Sequence, residues 1–180
     1  MKTNKYLALL RGINVGGHNQ ILMPSLRQAL TESGLEQVRT YIQSGNVIFQ
    51  STLASLELAQ QIEQTIKAQF SLQVPTAVLA EDEFRKIMEN APTTWGQSPD
   101  WKYNLIVLLK PYDIAHVLDA IGELQPGLET LHAGEGVLYQ AMSKELFGKT
   151  TTGKLASKPI YRKMTIRNAN TCAKLLELLD

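Results

Sequence analysis

Apolar positions along the chain fall into short blocks that switch between two periods. Tyr6 to Leu10 is a continuous apolar run ended by Arg11-Gly12, too short for a helix and typical of a buried strand. Leu26, Ala29 and Leu30 recur at helical spacing behind Pro24, and Gly34 supplies a left-handed stop, so a helix is predicted over about 24–33. From Val38 the period falls to two, with Val38, Thr40 and Ile42 on one face and Arg39, Tyr41 and Gln43 on the other. Ser44-Gly45 is a turn dipeptide, and Asn46 to Phe49 resumes extended structure, which makes a hairpin. Ser55 reads as the cap of a second helix whose Ala59, Ile62 and Ile66 share a face as far as Phe70, and Val74 to Leu79 reads as the next strand. The resulting order, β-α-β-β-α-β, is the split βαβ or ferredoxin-like arrangement of an antiparallel sheet with helices on one face.

The pattern then begins again. Glu81-Asp82-Glu83 open a short helix carrying Phe84, Ile87 and Met88, and the positive start of a helix accounts for those carboxylates without invoking catalysis. Asn90 to Trp101, with Pro92, Gly96 and Pro99, is a connector. Leu105 to Leu109 is apolar on both faces, as an interior strand is, and Pro111 to Ile121 reads as a helix with Ile114, Val117, Leu118 and Ile121 inward. Leu128 to His132, the turn Gly134-Glu135-Gly136 and Val137 to Tyr139 suggest a second hairpin, whose Gly136 to Gln140 echoes Gly45 to Gln50. A last helix starts at Asn168 or Asn170 as N-cap and buries Leu175, Leu176 and Leu179. The expected fold is α+β, with two ferredoxin-like halves at residues 1–80 and 103–180 and a helix with its connector over 81–102.

Composition changes this picture in one place. With 44% hydrophobic and 19% charged residues the 180-residue chain is an ordinary compact one, and a net charge of +1 gives no global pull towards nucleic acid or an anionic membrane. Over 144–167, however, Lys144, Lys149, Lys154, Lys158, Arg162, Lys163 and Arg167 stand against the single acid Glu145. That stripe reads either as a solvated loop or as a contact for a polyanion. The lone Cys172 excludes an internal disulfide and a thiolate metal cluster and fits a reducing cytosol; its position on the last helix makes it a packing residue. The apolar run behind Met1-Lys2-Thr3-Asn4-Lys5 is too short for a signal-peptide core, and no run approaches the roughly 20 residues of a membrane span, so a soluble cytoplasmic protein is expected.

Candidate chemistry centres on Leu9 to Asn19, where Gly12, Gly16 and Gly17 let a loop turn sharply and present its amides, with Arg11 adding a positive charge. The loop serves either as an anion cradle or as a long βα connection. It is not a dinucleotide fingerprint, because its glycines do not follow G-x-G-x-x-G. Gly148-Lys149-Thr150 resembles the end of a P-loop, but Ser143 stands where the first glycine is required. His18, His116 and His132 are scattered without ligand spacing, and Ser44 lacks the nucleophile-elbow setting. No cofactor or metal is called for, and His18 is the one acid–base candidate.

Arg11 to Gly17 (RGINVGG), Tyr41 to Phe49 (YIQSGNVIF) and Thr165 to Thr171 (TIRNANT) together resemble a bacterial family catalogued as domain of unknown function number sixteen ninety-seven. The resemblance implies an α+β protein of two ferredoxin-like halves and no established activity. Ala169 departs from it, standing where such sequences carry an aromatic residue. Physical reasoning then supplies the site: Arg11, Gly12, Asn14, Gly16, Gly17, Asn46, Lys154, Arg167 and Asn168 are the expected ligand-binding residues, lining a cleft between the halves for a phosphorylated small molecule or nucleic acid. The competing account has these asparagines and arginines tying loop backbones together. Alternative functions are a small transferase or hydrolase using His18 and the loop amides, and a structural module; monomer and homodimer both stand open.

Overall fold

The computed structural model of the protein describes residues 3–180; of the amino-terminal stretch weighed above as a leader, Met1-Lys2 lies outside them. The strands are β1 (Asn4–Leu10), β2 (Glu36–Tyr41), β3 (Asn46–Ser51), β4 (Thr76–Ala80), β5 (Trp101–Leu108), β6 (Glu129–Ala133), β7 (Val137–Ser143) and β8 (Met164–Asn168). The helices are α1 (Met23–Glu32), α2 (Ser55–Phe70), α3 (Glu81–Glu89), α4 (Ile114–Ile121) and α5 (Ala169–Leu179), with three 3-10 turns at Phe147–Lys149, Thr152–Ser157 and Pro159–Lys163. The chain divides into two compact units. One comprises the chain up to Arg85 together with Leu175–Asp180, the other Lys86–Lys174, so the boundaries fall within α3 and α5.

In the first unit the strand order is β2-β3-β1-β4, every neighbour antiparallel, which is the ferredoxin-like order. Alternation places Tyr6, Ala8 and Leu10 of β1 on one face, where they pack with Leu26 and Leu30 of α1 and Leu58, Ile62 and Ile66 of α2. Tyr6 stacks on Phe49 across the β1–β3 pair at 5.7 Å between ring centres. The last turn of α5 belongs to this unit and is fastened by cations, as a helix's negative end favours: Lys5 Nζ donates to Leu179 O at 2.6 Å, and Arg39 donates to Leu178 O at 3.0 Å.

The second unit repeats the order as β6-β7-β5-β8, again antiparallel. Ile106, Leu108 and Leu138 face Val117 and Ile121 of α4. The second crossover differs. Where the first unit has α2, this one has the three 3-10 turns, which bury Leu155 and Ile160 in the same core. They are anchored by Glu129, 4% exposed, whose Oε1 accepts from the Gln125 and Thr151 amides and whose Oε2 accepts from the Thr152 amide and hydroxyl, all between 2.5 and 2.8 Å. Burial alone would raise this carboxyl's pKa; the hydrogen bonds outweigh that and hold it below its ordinary value.

Four local expectations are corrected. The helix expected from Pro111 starts at Ile114, because Asp113 Oδ1 accepts from the Ala115 and His116 amides and so sets the first turn. Ser55 is the first residue of α2 rather than its cap; Ala54 holds the cap position, and Glu57 reaches back to its amide. Ile42 leaves the strand with φ +49°, half exposed. The basic stretch is no open loop, since it contains the 3-10 turns and β8.

Candidate functional site

β1 delivers the chain into the glycine-rich loop of the first unit. Leu10 N donates to Gly45 O at 2.8 Å and Arg11 N to Pro75 O at 2.9 Å, so the loop leaves the sheet between the β2–β3 turn and the segment before β4. Val15 and His18 then close a small bridge, with His18 N donating to Val15 O. Gly16 and Gly17 at its tip have φ +58° and +79°, the pair of positive values that a tight reversed turn requires.

Asn14 makes this loop rigid. It sits at φ +54°, its Oδ1 accepts from Ile21 N at 2.8 Å, and its Nδ2 donates to Ile21 O and Gln43 O at 3.0 and 2.9 Å. Asn19 Nδ2 donates to Gly12 O, and buried Asn46 donates from Nδ2 to Tyr41 O and Ser44 Oγ. These amides satisfy backbone carbonyls that the irregular path would otherwise leave unpaired.

Behind the rigid loop lies a cleft of about 620 Å³, lined by Asn14, Gly17, residues 20–24 and Gln43. Residues 22–24 are the start of α1, so the loop and a helix N-terminus share one concavity. The amides that open a helix have no acceptor within it, and here the cap position is Leu22, which offers them no side-chain oxygen. Pro24 has no N–H, which leaves those of Met23 and Ser25 to solvent or to a ligand. Gln20 and Gln43 add exposed side-chain amides, and no lining residue is acidic.

The residues singled out from the sequence divide between the units. Arg11, Gly12, Asn14, Gly16, Gly17 and Asn46 belong to the first, and of these Asn14 and Gly17 line the cleft. Lys154, Arg167 and Asn168 belong to the second. Arg167 is only 7% exposed; it donates from its guanidinium to Thr165 Oγ1 and Ile166 O, and burial lowers its pKa to about 10, which still leaves it charged at neutral pH. Asn168 caps α5, its Oδ1 accepting from Thr171 N at 2.8 Å. Lys154 is exposed on the second 3-10 turn. Two other cations of the stripe have structural partners: Lys158 donates to Ile121 O at the end of α4, and Lys144 to Pro99 O. His18 lies on the exposed bridge and does not line the cleft. Sequence reasoning missed Gln20, Leu22, Met23 and Gln43. The one available signal was a leucine in the position before Met23-Pro24, where a capping side chain is the norm.

Among the described residues there is no group of three or more His, Cys, Asp and Glu that could hold a metal, and no helix long and apolar enough to cross a membrane. The family model described as "Protein of unknown function (DUF1697)" matches residues 3–139. A solved structure of the conserved bacterial protein SP0830 from Streptococcus pneumoniae is similar throughout: 32% identity over 99% of this chain and 100% of that one, with a TM-score of 0.89. No protein with a curated description matches the chain.

Proposed function

The chain belongs to the DUF1697 family, and from that premise we propose that its first unit is a binding module for a phosphorylated small molecule, held in the cleft behind the glycine-rich loop. The observation that carries this reading is an uncapped N-terminus of a ten-residue helix opening into a concavity that no acid lines. Backbone donors at a helix start combine with the positive end of its dipole to favour an anion. The Gln20 and Gln43 amides would orient the phosphate's neighbours, and the Asn14 network holds the cleft in shape before the ligand arrives. Calorimetric titration with inorganic phosphate and with sugar and nucleoside monophosphates at low ionic strength tests it. Binding is expected to weaken in the Gln20→Ala/Gln43→Ala pair and at high salt. If no phosphorylated probe binds at low salt, the reading fails.

The basic stretch of the second unit supports a second reading. Lys149, Lys154, Arg162 and Lys163 are exposed, with no ion-pair partner among the described residues, and would give a polyanion a place to dock. Binding of an oligothymidylate that falls steeply with salt, and falls further when these four become glutamine, would support it; salt-independent binding would refute it.

A further inference from the structure

The sheet of the second unit carries different chemistry on its two faces. Ile106 and Leu108 of β5 meet α4, so alternation puts Trp101 and Tyr103 on the opposite face. There they join Trp95 from the connector and Thr130 and His132 of β6 around a pocket of about 180 Å³. We propose that this pocket binds a single flat nitrogen heterocycle of the nucleobase class, stacked on the aromatic walls and hydrogen-bonded along its edge. This is a site separate from the cleft of the first unit and stands independently of it.

Size, rigidity and polarity each narrow the occupant. A cavity of roughly 150 Å³ lined by apolar side chains takes up benzene, so 180 Å³ suits one ring or a small fused pair and excludes a folded chain segment. The walls are fixed before any ligand arrives. Trp95 Nε1 donates to Gln140 O at 3.1 Å, and Tyr103 Oη accepts from Ser98 N at 3.1 Å. Trp95 and Tyr103 meet at 71° with ring centres 6.2 Å apart, so a ring stacked on one presents its edge to the other.

A pure hydrocarbon would waste the remaining groups. Thr130, His132 and Trp101 line the pocket, and their hydroxyl, imidazole and indole N–H have no internal partner among the described residues, which leaves donors and an acceptor for ring nitrogens and exocyclic groups. A quaternary ammonium would find aromatic faces but no carboxylate to balance its charge. A neutral heterocycle satisfies all of these conditions. The exposed cations of the 3-10 turns accompany the opposite, α4-bearing face, so the base pocket and the basic stretch do not share a surface.

The chain's two tryptophans, Trp95 and Trp101, both line the pocket, so their emission reports its occupancy. Adenosine and uridine titrated into the full chain are expected to change that emission saturably. Trp101→Leu removes one stacking wall and should weaken binding by roughly tenfold to a hundredfold, read from Trp95. Thr130→Phe, at an exposed position whose enlargement leaves the core untouched, should block the pocket and abolish the response while the melting curve stays as in the wild type. Leu22→Asp in the first unit should leave it unchanged. The proposal is overturned if neither nucleoside gives a saturable change at millimolar concentration, if choline gives one where the nucleosides do not, or if the nucleoside response survives both Thr130→Phe and Trp101→Leu.

Discussion

Leu22→Asp separates a ligand-binding helix start from an accidental one. Leu22 holds the N-cap of α1 at φ −70° and ψ 130°, the extended conformation a capping residue needs, and it is 75% exposed. An aspartate there can accept from the Ser25 amide, the third helical position, since Pro24 at the second has no N–H. A capping side chain contributes about 1 kcal/mol, and a negative charge at the positive end of the dipole about 0.5 kcal/mol more. Against this, the quarter of the leucine that is buried forfeits about 0.5 kcal/mol of apolar burial. The net gain is about 1 kcal/mol, read as a rise in melting temperature of about 3 °C. The same carboxylate occupies the Ser25 donor and places negative charge in the cleft, so the proposed anion site should be lost. Wild type in phosphate at a hundredfold excess over its dissociation constant should gain about 2.7 kcal/mol, and the variant nothing. Leu22→Ala, which leaves the donors open, should keep the phosphate response. Scanning calorimetry of the three proteins, in phosphate and in chloride at matched ionic strength, reads both effects. A stabilised Leu22→Asp that responds to phosphate like the wild type would place the anion elsewhere. A destabilised one would mean that Leu22 holds the helix start by packing.

The remaining predictions concern the scaffold. Glu129→Gln sets an amide N–H₂ against the backbone donors of the 3-10 run and should cost about 3 kcal/mol in urea unfolding. Because the folded-state pKa of Glu129 is depressed, its stabilisation is present above the unfolded value of 4.5 and is lost as pH falls through the folded one, so acid melts below that pH should be shallower in the variant than in the wild type. Gly45→Ala puts a methyl 2.7 Å from Leu10 Cβ at φ +82° and should cost about 2 kcal/mol or more, with the loss of melting temperature measured by circular dichroism. Asn14→Ala orphans Ile21 N–H and the carbonyls of Ile21 and Gln43 and should cost about 2 kcal/mol, visible also as faster amide exchange over residues 12–21. Burial pushes the Cys172 thiol up to about 12, so it should resist a disulfide reagent at pH 8 in the native protein and react promptly in denaturant.

Most of the architecture was legible because two periods decide it. Period two in β2, continuous apolar runs in β1, β3 and β5, and helical spacing in α1 and α2 each have a single packing solution. The second crossover was not legible, since its buried anchors Leu155 and Ile160 stand five apart, a spacing that fits neither a helix nor a strand. Strand β8 was hidden for a related reason: its buried face includes Thr165 and Arg167, polar residues that read as surface until their partners are known. Ile42 violates its own preference, because a β-branched residue rarely takes positive φ and nothing in the local sequence announces it.

The site was less legible than the fold, and the reason is chemical. Searching for anion-binding groups by side-chain polarity selects asparagines and arginines, and in this protein Asn14, Asn19, Asn46, Asn168 and Arg167 direct hydrogen bonds to nearby loop backbone, a helix start or their own strand. The open donors at the start of α1 are the amides of Met23, which lines the cleft, and Ser25, and backbone N–H groups leave no mark on residue type. What does leave a mark is a missing cap: Leu22 stands where Ser, Thr, Asp or Asn would satisfy the helix internally. A helix start left open costs stability, so for the anion site we propose, an apolar N-cap beside a glycine loop is a better pointer than the polar residues around it. Those residues do different work, holding the loop still so that the open amides stay in place.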